Sequence, residues 1–158
     1  MASATLRRIG LAVPALLLLA QLIRPERTNP PVTADIGAPQ EIAALLRRAC
    51  YDCHSNETVW PWYAQVAPVS WLLARDVNEG RRELNFSSWD LVKPGSRGKK
   101  LKRAAKEARG RDMPPWFYLP MHPEARLSDA ELATLTGWLD AASTSTLSGT
   151  SSPAAPSP

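Results

Sequence analysis

Apolar residues recur at helical spacing through the middle of the chain. Between Pro39 and Cys53 they lie three and four positions apart, which places Ile42, Leu45, Leu46, Cys50 and Cys53 on one face of a predicted helix. A second helix is predicted over residues 67–84, with Pro68 in its first turn and an apolar stripe of Val69, Leu72, Leu73 and Val77. No stretch alternates at the period of two that a strand requires.

The clearest helix start lies near the C-terminus. Ser128 and Glu131 form the pattern of a capping box, and Leu127 and Leu132 that of a hydrophobic staple. The helix that follows has an apolar stripe of Leu132, Leu135, Trp138 and Leu139, and a weaker, basic helix is predicted from Ser96 to Ala108. We therefore predict an all-α domain whose first and last helices carry the strongest apolar faces.

The N-terminal segment is uncharged from Ile9 to Ile23. As a helix it is about 22 Å long, between a signal-peptide core and a full membrane crossing. The best cleavage site, after Ala20, has leucine at position −3, and no cysteine follows the apolar core. We expect an uncleaved signal anchor or transmembrane segment over residues 1–27, with the rest of the chain exported to the extracytoplasmic side.

Both flanks of the domain are rich in proline or in small polar residues. Residues 28–37 include Pro30 and Pro31 and are predicted to form an extended tether. Residues 143–158 lack charge and periodicity and are expected to be a disordered Ser/Thr/Pro tail. The folded unit is thus predicted over residues 38–142, a size at which a cofactor, metal or disulfide often supports a thin core.

Both cysteines lie in Cys50-Tyr51-Asp52-Cys53-His54. A thioredoxin-type dithiol begins a helix within a βαβ unit, whereas this pair ends a helix in a chain without strands. A zinc site needs four ligands, and only His122 remains to supply another. A disulfide between residues this close closes a very small loop and stabilises little.

The same five residues meet the requirements for covalent attachment of one haem c. Cys50 and Cys53 can each add to one vinyl group, and His54 then lies beneath the iron as the proximal ligand. Five of the six tryptophans lie near or between this motif and Met113, and we expect some of them to line a haem pocket: Trp60, Trp62, Trp71, Trp89 and Trp116.

The distal ligand is sought among Met113, Met121 and His122, because no other methionine or histidine remains beyond the initiator. Met113 is preferred, since the two prolines that follow stiffen its loop and reduce the entropy lost on ligation. Met121, and then His122 or no protein ligand, remain alternatives. Methionine raises the reduction potential of the iron above that of a bis-histidine pair.

The order of these motifs resembles that of class I c-type cytochromes, and more closely that of the bacterial haem-binding domain family of small, membrane-anchored cytochromes. Residues 50–89 and 113–128 carry the resemblance. It implies a cytochrome c-like helical domain with haem c on Cys50 and Cys53. It further implies His54 and Met113 as axial ligands, and an N-terminal membrane anchor.

The charge is concentrated in one segment. Residues 97–111 contain eight basic side chains and one acid, Glu107, in a chain of net charge +4. We expect this segment to dock a redox protein partner or anionic lipid, with a solvated helix face as the alternative. Nucleic acid is not expected, because the chain is exported and no base-stacking motif accompanies the lysines.

These features predict an electron carrier rather than an enzyme: a membrane-tethered monohaem c-type cytochrome. The alternatives are a haem enzyme or gas sensor with an open distal site, and a haem subunit of a larger respiratory complex. A peroxidase needs a distal acid–base group, and His122 with Arg126 is the one pair in the sequence that could supply it.

Overall fold

The structure is a computed structural model that describes residues 2–147, and this part of the chain is all-α, as predicted. It contains six α-helices and three short 3₁₀ turns. The helices are α1 (Ala2–Ala20), α2 (Gln40–Ala49), α3 (Tyr51–His54), α4 (Val69–Glu83), α5 (Pro94–Arg109) and α6 (Asp129–Leu147). The 3₁₀ turns are Trp62–Gln65, Trp89–Leu91 and Pro123–Ala125.

The predicted first helix is divided in two at Cys50. This residue leaves the helical region at φ −128° and ψ −32°, while its amide still donates to the carbonyl of Leu46 over 2.8 Å. The four-residue helix α3 then begins in a new direction. Cys50 therefore lies at a junction of two helices, and Cys53 and His54 lie on the second.

The main core lies where α2, α5 and α6 pack together. The predicted stripe of α6 is confirmed, because Leu135 and Leu139 are buried and Leu132 and Trp138 pack partly buried against the core. The capping box is also present: Ser128 N donates to Glu131 Oε2 over 2.8 Å, and Glu131 N donates to Ser128 Oγ over 3.3 Å. The capping box is local in sequence, and it sets where α6 begins.

The apolar stripe predicted for α4 is wrong in part. Val77 is buried, but Val69 and Leu72 are exposed, and the rest of the buried face consists of small residues: Ser70, Ala74 and Gly80. The reason is the short separation between α4 and α3. A Cβ added to Gly80 would lie 2.4 Å from the carbonyl oxygen of Cys53, so a large side chain is sterically excluded there.

The segment predicted as a tether, residues 28–37, runs along the domain surface and is hydrogen-bonded to it. Thr33 N donates to Ser87 O over 2.9 Å, and Trp89 N donates to Ala34 O over 3.0 Å. The Asn56 side chain donates to Pro31 O over 2.8 Å. These bonds fix the segment against the loops that follow α3 and α4.

The last helix continues beyond the predicted domain boundary at residue 142. Ser143 is buried, and its hydroxyl donates to the carbonyl of Asp140 over 2.7 Å. This back-bonding satisfies the hydroxyl within the helix, so the serines and threonines here do not end α6. The first residues of the predicted disordered tail are thus helical, and residues 148–158 lie outside the described residues.

The expected anchor segment, residues 9–23, falls mostly within α1, which contains Pro14. Its described apolar side chains from Val13 to Leu19 are exposed. None of the helices in the described part of the chain combines the length and the apolar character needed to cross a membrane.

Candidate functional site

A cavity of about 380 Å³ opens between the helices, within the range of about 300–1,000 Å³ typical of small-molecule and cofactor sites. Its lining is mainly apolar and includes Cys50, His54 and Met113. The apolar walls come from α2, the segment after α4, α5, the segment before α6, and α6 itself: Leu46, Leu84, Phe86, Ala104, Ala108, Leu127, Leu135 and Leu139. The structure thus brings three of the predicted site residues to one cavity.

His54 is oriented by two backbone carbonyls. Its Nδ1 lies 2.9 Å from Gly80 O and 3.0 Å from Leu84 O. Because a carbonyl oxygen only accepts, Nδ1 carries the proton and Nε2 keeps its lone pair. Burial lowers the pKa of His54, although both hydrogen bonds act in the opposite direction, so the ring is neutral at neutral pH. This is the form in which an imidazole binds a metal.

The two thiols differ in position. Cys50 lines the cavity, whereas Cys53 contacts Gly80 through its backbone. Both are free cysteines, and burial raises the pKa of each thiol to about 12. The neighbouring Cys53 raises the pKa of Cys50 slightly further, and the Asp52 carboxylate does the same for Cys53. A reactive dithiol of the thioredoxin type requires a lowered thiol pKa. The environment of these cysteines therefore disfavours that interpretation.

The three candidate distal ligands are separated by the structure. Met113 lines the cavity together with His54 and remains 43% exposed. Met121 is exposed and does not line it. His122 has both ring nitrogens in other contacts, with Nε2 2.5 Å from the Tyr63 hydroxyl and Nδ1 3.1 Å from Glu124 Oε1. Of the three, Met113 shares the cavity with His54.

The expected tryptophan walls are absent from this cavity. Phe86 is the aromatic ring in the lining, and it packs edge-on against His54 with centroids 6.4 Å apart. Phe86 also stacks on Tyr51 at 5.6 Å, and its amide donates to His54 O over 2.8 Å. Phe86 therefore supports the backbone and the ring of His54 together.

Tyr118 and Asp52 form a contact that the sequence did not reveal. The Tyr118 hydroxyl donates to Asp52 Oδ2 over 2.6 Å, and the Tyr118 ring stacks on His122 at 4.0 Å. Burial, followed by the hydrogen bond to Asp52, raises the pKa of Tyr118. The phenol thus stays protonated, and it ties the loop after Met113 to α3.

Arg81 was also missed. Its guanidinium donates to four neutral acceptors, at 2.7 Å to Ser55 O, 2.8 Å to Thr28 O, 2.9 Å to Asn29 Oδ1 and 2.9 Å to Thr58 Oγ1. These acceptors belong to the segment before α2 and to the loop after His54. Arg81 therefore joins α4 to both, and no local pattern in the sequence indicates this.

The basic segment contributes to the cavity. Lys99, Lys100 and Arg103 of α5 line it, beside three acidic residues: Glu79, Glu83 and Glu107. Arg103 Nη1 lies 2.9 Å from Glu83 Oε2. The basic face of α5 thus borders the cavity rather than lying apart from it.

The zinc interpretation gains no support. In the described part of the chain, no group of three or more His, Cys, Asp or Glu side chains is arranged to hold a metal ion. The residues present do fit a haem, since His54, with a neutral imidazole and a free Nε2, lines an apolar cavity together with the Cys50 thiol and the Met113 thioether, and Cys53 lies one residue before His54.

Comparisons with known proteins give one match. No curated protein and no solved structure matches the chain significantly. A family model described as a haem-binding domain matches residues 15–141, which is most of the sequence and includes every residue that lines the cavity. The chain therefore belongs to the haem-binding domain family.

Proposed function

We propose that this protein is an electron carrier, a monohaem c-type cytochrome with haem bound covalently through Cys50 and Cys53. The observation that carries the proposal is the joint placement of His54, Cys50 and Met113 at one apolar cavity, with the Nε2 of His54 free to bind iron. The haem-binding family assignment agrees with it. When bound, haem supplies reversible one-electron chemistry at its iron.

The residues around His54 hold its proton in place. The carbonyls of Gly80 and Leu84 keep Nδ1 protonated and fix the plane of the imidazole. Such hydrogen bonds from a ligating histidine orient the ring and increase its basicity. They are formed by the backbone, so they do not depend on the protonation of a neighbouring side chain.

We propose Met113 as the distal ligand. Pro114 and Pro115 limit the conformations of its loop, and the contact between Tyr118 and Asp52 ties that loop to α3. A weak thioether ligand then binds with little further loss of entropy. If His54 and Met113 both held the iron, the site would be suited to electron transfer rather than to binding a substrate.

The peroxidase and gas-sensor alternative has less support. His122 hydrogen-bonds Tyr63 and Glu124 and does not line the cavity, and Arg126 does not line it either. Neither residue is therefore placed to act as a distal acid–base group.

We also propose that the protein is tethered to a membrane through residues 9–23, with the haem domain on the extracytoplasmic side. The exposed apolar side chains of α1 support the membrane attachment. The chemistry that attaches haem c takes place outside the bacterial cytoplasm, which supports the extracytoplasmic side.

The basic surface of α5, next to the cavity, is proposed to dock an acidic redox partner, whose association would weaken as salt increases.

The test is to express the full chain in a host that ligates haem and to record oxidised and reduced spectra with and without carbon monoxide. We expect a haem that resists extraction by acidified organic solvent, a low-spin spectrum with a methionine–iron charge-transfer band, and no response to carbon monoxide. Met113→Ala should abolish that band, whereas the matched variants Met121→Ala and His122→Ala should keep it. Extractable haem, or a Met113→Ala protein that retains the band, would contradict the proposal.

A further inference from the structure

The end of α1 is fastened to the start of α4. Gln21 Nε2 donates to Ala67 O over 3.2 Å, and Ala67 N donates to Gln21 Oε1 over 2.9 Å. The indole N–H of Trp71 donates to Ile23 O over 2.8 Å. Three hydrogen bonds therefore hold the residues after α1 in one position against the domain.

A group of large aliphatic side chains surrounds this junction and remains exposed. We call it the apolar face: Leu22 (78%), Ile23 (66%), Val66 (44%), Val69 (39%) and Leu72 (56%). The core does not use these side chains, because α4 packs through other positions, namely Ser70, Ala74, Val77 and Gly80. Exposed aliphatic residues grouped in this way mark an interaction surface.

The residues on either side of the junction indicate what covers this face. The face continues directly into the exposed apolar side chains of α1, from Val13 to Leu19. These hydrogen bonds hold the residues after α1 beside the start of α4. A lipid surface that surrounds the end of α1 is therefore also in contact with Val69 and Leu72. Trp71 donates to the carbonyl of Ile23, the residue before the exposed Arg24, and tryptophan and arginine are residue types found at the boundary between lipid and water.

We propose that the apolar face rests on the lipid surface and so fixes the orientation of the domain above the membrane. The inference rests on the membrane attachment proposed above and adds a second contact, made by the folded domain itself. Gly80 lines the cavity and lies eleven residues after Val69 in the same helix. At 1.5 Å per residue, the two positions are about 16 Å apart along α4. The lipid contact therefore leaves the cavity at the far end of α4, free to meet a partner.

The experiment uses the full-length, haem-loaded protein in vesicles of phosphatidylcholine and phosphatidylglycerol that contain a phospholipid with a photoreactive diazirine in its acyl chain. After illumination, lipid adducts are located by peptide mass spectrometry. We expect adducts on α1 and on the peptide that spans residues 66–72. The double variant Val69→Glu with Leu72→Glu should lower adducts on that peptide about fivefold or more, because lipid excludes the added charges.

The matched control is Val32→Glu with Leu91→Glu, two exposed aliphatic positions beside the Thr33–Asp90 hydrogen bond and outside the apolar face. It should leave the adducts on residues 66–72 unchanged. Adducts on α1 without adducts on residues 66–72 would overturn the inference while leaving membrane attachment intact. Absence of adducts on α1 would overturn both, and the haem spectrum reports independently on the cytochrome proposal.

Discussion

The hydroxyl of Tyr118 donates a 2.6 Å hydrogen bond to Oδ2 of Asp52, across 66 positions of sequence. Asp52 lies between the two cysteines, and Tyr118 lies five residues after Met113. Oδ1 of the same carboxylate accepts from Val59 N over 3.0 Å, so Asp52 is itself held in place. The contact joins the two chain segments that supply the proposed axial ligands.

Removal of this hydroxyl should loosen the Met113 loop. For Tyr118→Phe we expect a loss of about 1–2 kcal/mol in the free energy of unfolding, at the lower end of the about 1.5–3 kcal/mol of a hydrogen bond to a charged group because this one is only partly buried. We also expect a weaker methionine–iron charge-transfer band and measurable binding of carbon monoxide. Denaturant unfolding and absorption spectra of the haem-loaded protein are the measurements.

The matched control is Tyr51→Phe, which removes a 2.9 Å hydrogen bond to Asp35 on another side of α3. It should lower stability without changing the charge-transfer band. If both variants change the band to the same extent, the Tyr118 contact has no specific effect on the Met113 loop.

Gly80 allows α4 to approach α3. In Gly80→Ala the new Cβ would meet the carbonyl oxygen of Cys53, a backbone atom that cannot turn away. We expect a destabilisation of about 1–3 kcal/mol, as for other overpacked sites. The hydrogen bond from His54 to Gly80 O should be strained as well, and the reduction potential should shift. Thermal unfolding and redox titration measure the two effects.

Gly137 is the control, because it lies within α6 and a Cβ there would meet nothing within 4 Å. Gly137→Ala should stabilise the protein by about 0.5–1 kcal/mol through the higher helix propensity of alanine. A Gly80→Ala protein that is as stable as Gly137→Ala would show that the close contact between α3 and α4 is not required.

The success of the sequence prediction depended on how local each feature was. The capping box of Ser128 and Glu131 was correctly predicted, because both partners lie within one helical turn. The stripe of α4 was wrong at Val69 and Leu72, which are exposed, whereas Gly80 is buried because the backbone of Cys53, distant in sequence, leaves no room there for a side chain.

Long-range polar contacts were not predictable in the same way. The partners of Arg81 lie between 23 and 53 positions away, and Tyr118 lies 66 positions from Asp52. Hydrophobic periodicity carries no information on such pairs. The cysteine motif was recognisable because its chemistry requires fixed spacing, whereas the preference for Met113 over Met121 rested on the prolines that follow Met113.

Glu131 predicts a change of stability at acid pH. A hydrogen bond from the Ser128 amide and then one from the Arg48 guanidinium, at 2.5 Å, lower the pKa of Glu131 from 4.5 to about 2. Because the folded pKa lies below the unfolded one, the ionised carboxylate stabilises the fold above about pH 4.5, and this contribution disappears as the pH falls to about 2.

Glu131→Gln should therefore unfold at a lower temperature than the parent protein at neutral pH, and the difference should close between about pH 4.5 and about pH 2. Glu41→Gln, in the first turn of α2, controls for the general effect of removing an acid from a helix N-terminus. A gap in melting temperature that stays constant across this pH range would contradict the role of the Glu131 carboxylate.

Arg81 provides a test of how the segment before α2 is attached. Its four hydrogen bonds need the planar guanidinium, because a lysine ammonium cannot reach acceptors in this arrangement at the same time. Arg81→Lys should lower the free energy of unfolding by about 2 kcal/mol and increase amide hydrogen exchange in residues 28–34 and 55–58. Arg82→Lys is the matched control, since Arg82 is 70% exposed and, within residues 2–147, its ion pair is with Glu79, an interaction worth about 0–1 kcal/mol. If the two variants have equal stability and equal exchange in both segments, then Arg81 does not hold the segment before α2 against the loop after His54, and that attachment depends instead on the hydrogen bonds from Asn29 to Thr58 O and from Asn56 to Pro31 O.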